Sequence, residues 1–123
     1  MTAVTTLNWI QMTVREILPL LSAELIYGAE LDRPVRSVVA CDLMSDVLVV
    51  DDEDILLLTS LASDQALRTA QVVGAVAVII VNDKPLPDSM AEVAQSLHIT
   101  LAVSPLRKFD ACVAAHAAMT AQA

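Results

Sequence analysis

Small polar residues close the apolar runs of this chain. Val38-Val39-Ala40-Cys41 stops at Asp42, Ile55 to Leu58 at Thr59-Ser60, Ala75 to Val81 at Asn82-Asp83, and Ile99 to Val103 at Ser104. Ser45 and Asp46 follow Asp42 by three and four residues. In an open α/β sheet, ligands bind outside the carboxyl ends of the strands, so this set marks where a site would form. Hydroxyl and amide donors beside two or three carboxylates suit a shallow pocket for a small polar ligand. The carboxylates Asp42, Asp46 and Asp83 are the groups there that could move a proton. The alternative is structural: Asp, Ser and Asn cap helices and turns wherever strands give way to them.

Other chemistry has little support. The two histidines, His98 and His116, have no second His or Cys at metal-ligand spacing, and neither stands where a hydrolytic triad would need it. No metal site, no cofactor and no catalytic residue is expected. The run Asp51-Asp52-Glu53-Asp54 lacks the glycine and the spaced ligands of a calcium loop, and reads as a solvated segment that keeps the next strand soluble. With Gly28 and Gly74 the only glycines, a glycine-built phosphate cradle is excluded. Walker, GxGxxG, GxSxG and HExxH signatures do not occur.

The elements that must position these residues follow from periodicity. Residues 1–11 show no period and read as an arm or an edge segment, so the domain proper is placed at 13–120 and the arm at 1–12. Thr13 and Glu16 form a capping box for a first helix, with Met12 stapled onto Ile17 and Pro19 shortening it. Glu24 to Tyr27 is strand-like and ends at Gly28. Arg33-Pro34 leads extended chain into a strand at 35–41. Asp42 is then expected to cap a short helix through Val49 that buries Leu43, Val47 and Leu48.

Ile55 to Thr59 reads as a strand. Ser63 or Asp64 opens a helix to Val73, with Ala66, Leu67, Ala70 and Val73 on one face and Gly74 as its stop. Ala75 to Val81 is continuously apolar, the pattern of a strand covered on both faces. Ser89 and Glu92 suggest a second capping box for a helix to Leu97. Ile99 to Val103 is another strand, and Ser104 with Pro105 would start the last helix, through Met119. Strands alternating with helices give a single α/β domain with a largely parallel sheet flanked by helices.

Composition narrows the setting. The chain has 123 residues, enough for one domain, and 56% are hydrophobic. Trp9, Tyr27 and Phe109 are its only aromatics, so aliphatic side chains must fill the core. A small domain cannot hide so much apolar surface alone, which predicts a two-fold homodimer. Fifteen acidic against seven basic residues, a net charge of −8, argue against nucleic acid and anionic lipid as partners. The longest apolar stretch near the strands, Val72 to Val81, is half of the roughly 20 residues a membrane span needs. No signal-like segment precedes Asn8, so a cytoplasmic location is expected. Cys41 and Cys112, without a CxxC pair, read as buried small hydrophobes rather than a disulfide.

Cys41-Asp42-Leu43-Met44-Ser45-Asp46-Val47-Leu48 resembles a Ser-Asp-Leu-Met-Ser-Asp-Val-Leu segment of small stand-alone DRTGG-domain proteins encoded near iron-only hydrogenases and anti-sigma-factor-like kinases. Leu57-Leu58-Thr59-Ser60 with Arg68-Thr69-Ala70, and Phe109-Asp110-Ala111-Cys112, are similar to that subgroup as well. The resemblance runs from about Thr13 to Met119. It implies the α/β fold of the N-terminal domain of bacterial HPr kinase/phosphorylase. It also implies a non-catalytic regulatory or protein-interaction domain, with a protein partner in a signalling or redox complex. The chain departs from the family where the family is named: no Asp-Arg follows Thr59-Ser60, and Asn82-Asp83 replaces the paired glycines. A small-ligand sensor for a nucleotide or acidic metabolite, using the strand-end pocket, is the second function class. An acid-base enzyme using Asp42 or Asp83 is the third.

Overall fold

Successive residues of a strand point to opposite sides of its sheet, so a run that is apolar at every position must be covered on both. That requirement organises this fold. A computed structural model describes residues 12–121. Its elements are α1 (Val14–Leu20), β1 (Glu24–Tyr27), β2 (Ser37–Ala40), α2 (Met44–Val47), β3 (Ile55–Thr59), α3 (Asp64–Val73), β4 (Ala77–Ile80), α4 (Ser89–Leu97), β5 (Thr100–Val103) and α5 (Lys108–Thr120). Every residue of β3 and β4 is buried. Leu56, Leu58 and Ile79 pack toward α1 and α5, while Ile55, Leu57, Val78 and Ile80 pack toward α2, α3 and α4.

The five strands form one sheet in the order β1-β5-β4-β3-β2. β2, β3, β4 and β5 are parallel, and β1 is antiparallel at the edge beside β5. The expected fold class, a single largely parallel α/β domain flanked by helices, is the one observed. Each parallel strand lies beside the next in sequence, so the connecting helices α2, α3 and α4 share one face. The opposite face is covered by α1 and α5, the first and last helices, which touch each other.

Local signals fix most boundaries. The Thr13–Glu16 capping box forms, with the Glu16 N–H donating to Thr13 Oγ1 at 3.2 Å and the Thr13 N–H to Glu16 Oε1 at 2.9 Å. Pro19 lies inside α1, which ends one residue later. α3 ends at Gly74, whose φ of 72° is left-handed. A Cβ built there would meet nothing within 4 Å, so Gly74→Ala should cost about 1 kcal/mol from backbone strain alone. Urea denaturation, with an unchanged m-value, measures that cost.

Four local expectations are overturned, and at Asp42, Ser89 and Ser104 a distant group holds the side chain. Asp42 does not cap α2; Leu43 takes the N-cap position, and the Asp42 carboxylate turns to the end of β3. On α2, Met44 and Val47 are buried, whereas Leu43 and Leu48 are exposed. The Ser89–Glu92 capping box is absent: Asp88 holds the N-cap position of α4, and the Ser89 hydroxyl points to Asp64. α5 begins at Lys108 with Arg107 as N-cap, not at Ser104-Pro105.

The acidic run is not merely solvated either. Asp54 receives Arg33 at 3.2 Å and Arg36 at 3.1 Å, and Glu53 receives Arg36 at 3.6 Å, tying the entries to β2 and β3 together. Cys41 and Cys112 are free and half-buried rather than fully enclosed. Of the expected arm at residues 1–12, only Met12 is among the described residues, where it is buried and its carbonyl accepts the Val35 N–H at 2.7 Å.

Candidate functional site

The helices after β2, β3 and β4 leave toward one face, and α5 leaves β5 toward the other. Connections that part in this way open the crevice in which α/β sheets hold ligands. Here the parting falls above β4 and β5, where Asn82-Asp83 and the segment from Ser104 to Lys108 meet. They close it with their own hydrogen bonds. The Asn82 N–H donates to the Leu106 carbonyl at 2.7 Å and the Asp83 N–H to the Ser104 carbonyl at 3.1 Å. Asn82 Oδ1 accepts the Lys108 N–H at 3.0 Å, satisfying a donor at the start of α5.

Those bonds require unusual backbone. Asn82 and Asp83 have φ of 68° and 53°, a consecutive left-handed pair. Asn and Asp are the non-glycine residues that enter this region most readily, because a short polar side chain can bond locally. The two positions where the resembling family carries glycines thus keep glycine-like backbone without glycine.

Two strands along from β4, just past the end of β2, Asp42 gathers four donors. Its Oδ1 accepts the Ser60 N–H at 2.7 Å and the Thr59 hydroxyl at 3.0 Å. Its Oδ2 accepts the Ser60 hydroxyl at 2.8 Å and the Lys108 ammonium. Partial burial pushes the Asp42 carboxyl up. The Lys108 ammonium, the Ser60 N–H and the Ser60 and Thr59 hydroxyls outweigh that and hold it well below the usual carboxylate range. The side chains of Asp42 and Lys108 remain 42% and 32% exposed, so the cluster lies at the surface rather than in a cleft.

The sequence-predicted residues therefore divide. Asp42, Thr59 and Ser60 form one network, to which Asn82 is joined through Lys108. Asp83 stands beside it with an exposed side chain. Ser104 is buried and serves the fold: its hydroxyl donates to the Leu21 carbonyl at 2.7 Å and accepts the Leu106 N–H at 3.1 Å. Ser45 and Asp46 are exposed on α2, outside the network. Sequence reasoning missed Lys108. Its signal was faint: a lone basic pair, Arg107-Lys108, just beyond the last strand of an acidic chain.

Two grooves flank this region. One of about 340 Å³ runs past Ile26, Lys84, Leu86, Asp88 and Val103, beside the paired ends of β1 and β5. The other, about 400 Å³, lies between β2 and α5, lined by Arg36, Val38, Ala40, Cys112, His116 and Met119. Among the described residues, no three His, Cys, Asp or Glu side chains come together as a metal ion would require. No helix among them is long and apolar enough to cross a membrane.

No family model matches the chain, and no curated protein matches it. Among solved structures it is similar to the CBS and DRTGG domains of the regulatory region of a Clostridium perfringens pyrophosphatase, crystallised with its activator, diadenosine tetraphosphate. The TM-score is 0.70 and the sequence identity 19%. The match covers 88% of this chain and 47% of that one, so this chain spans about half the length of the region it resembles. The likeness is one of fold, and it meets the expectation of a DRTGG-like α/β domain.

Proposed function

We propose that this chain is a non-catalytic regulatory or protein-interaction domain that works as a homodimer in the cytoplasm. On the strength of the sequence resemblance, the proposal includes a partner in redox or iron-only hydrogenase signalling. The observation that carries it is the state of Asp42. A general acid or base needs a pKa near the working pH and a free position to exchange its proton. Asp42 has neither: both oxygens are engaged by four donors, and it is held ionised. A saturated carboxylate pins two strand ends to a helix, which is what a rigid binding surface asks of it. The regulatory region of the similar pyrophosphatase supports the same reading.

The dimer rests on exposed apolar side chains, among them Leu20, Leu25, Ile26, Phe109 and Val113, on a domain of this size. Light scattering at tens of micromolar chain should give twice the mass of one chain. A monomer mass across that range would overturn the dimer.

The groove at Lys84 favours a second reading, a sensor for a nucleotide or acidic metabolite. It offers apolar walls and a cation next to Asn82-Asp83. A thermal-shift panel of such compounds tests it: a ligand at 100 times its Kd adds about 2.7 kcal/mol of stability. No shift across the panel would remove the sensor and leave the interaction domain.

A further inference from the structure

Among the described residues β1 pairs only with β5, so one side of it offers backbone donors and acceptors to a further strand. Its register sets Glu24 beside Val103, Leu25 beside Ala102 and Tyr27 beside Leu101, which leaves Ile26 as the extra residue of a bulge. A bulge re-aims a side chain, and Ile26 lines the groove of about 340 Å³ against α4. Leu25 and Ile26 are 43% and 38% exposed, so apolar surface runs along the strand as well as into the groove.

The charge beside that groove has a sign. Asp88 and Ala91 line it from the start of α4, and residues four apart share a helix face, so Glu92 stands on the same side one turn on. Glu24 shares the sheet face of its partner Val103, which also lines the groove. Glu24, Asp88 and Glu92 are exposed, and none of them forms an ion pair among the described residues. Three carboxylates thus stand against the Lys84 ammonium. That balance repels an anion. It also repels a second copy of this acidic chain, which would bring the same carboxylates to the contact.

We propose that β1 and this groove receive an extended, cationic segment of a partner protein. The inference rests on the interaction-domain reading above and names the partner's chemistry. Strand addition supplies main-chain hydrogen bonds along β1, and pockets for alternate side chains supply the selectivity. Alternate side chains of an extended segment share a face. One aliphatic side chain enters the groove against Ile26, Leu86 and Val103, and a lysine or arginine two residues on meets Asp88 and Glu92.

The probe is an acetylated, amidated peptide, Leu-Thr-Lys-Thr-Leu-Thr-Lys, titrated to about 1 mM into the isotope-labelled full chain. Amide resonances of Ile26, Ala91 and Val103 should shift, while that of Leu57 in the sheet interior stays. Charge reversal by Asp88→Lys with Glu92→Lys should weaken binding by about tenfold or more and transfer the preference to a peptide with glutamates for lysines. Ala91→Trp, which fills the groove from an exposed helix position, should abolish the shifts and leave Leu57 unmoved. Absence of shifts in the native chain would overturn the proposal. Equal affinity for the native and charge-reversed chains would overturn it too, since that is bulk attraction to an acidic protein. Shifts confined to the groove between β2 and α5 would overturn it and keep the interaction domain. Shifts at Ile26 and Ala91 from ATP and not from the peptide would overturn both, in favour of the sensor.

Discussion

Asn82→Ala should destabilise the domain by about 2–3 kcal/mol, with Asn82→Gly costing about 1 kcal/mol or less. Two losses add in the alanine variant. Alanine in the left-handed region costs about 1–2 kcal/mol, and Asn82 sits there with φ of 68°. Removing a side-chain acceptor from an orphan N–H at a helix start costs about 1 kcal/mol more, and Asn82 Oδ1 is the acceptor of the Lys108 N–H. Glycine keeps the backbone and loses only the acceptor. Urea denaturation of the three proteins gives the ordering. An alanine variant as stable as the glycine variant would show that the backbone conformation carries no strain.

Asp42→Ala should cost about 1–3 kcal/mol, most of it from donors left without a partner. The Thr59 side chain is fully buried, so its hydroxyl cannot turn to water for compensation. The ion pair with Lys108 adds little, because both head groups remain partly in water. The pH dependence follows from the direction of the shift. A carboxylate whose pKa is lowered on folding stabilises the folded state fully above its unfolded value near 3.9, and loses that contribution as pH falls toward the folded value. The native chain should therefore lose more stability between pH 5 and pH 2.5 than Asp42→Asn does. Urea midpoints at the two pH values measure the difference. Parallel losses in the two proteins would place the acid sensitivity in other carboxylates.

The sheet was legible because burial on both faces leaves a continuous apolar signature, and β3 and β4 carry it in full. β1 was legible as a strand but not as an antiparallel one: nothing in Glu24 to Tyr27 states which neighbour it will have. Helix starts were legible where the cap is local, as at Thr13, and misread where it is not. Asp42 has the residue type of an N-cap, yet its partners lie 17, 18 and 66 residues away. Ser104 has the same type and spends its hydroxyl on Leu21, 83 residues away. The polar stops were correctly located as strand ends. That they would bond one another depends on Lys108, which reaches them only after the last strand has turned back over the sheet.

The two faces of the sheet draw on the chain differently. The helices of one face, α2 to α4, come from its continuous middle, between Met44 and Leu97. The other face needs α1 from the beginning and α5 from the end, with Ala111, Ala115 and Ala118 pressed against Ile17 and Leu56 in one cluster. During synthesis the strands can pair in the order in which they emerge, but Leu56, Leu58 and Ile79 stay bare until residues 108–120 have left the ribosome. A stalled or truncated product would present that sticky half-sheet to whatever is nearby, so α5, which also carries Lys108 to the strand ends, is the element that closes this face of the domain.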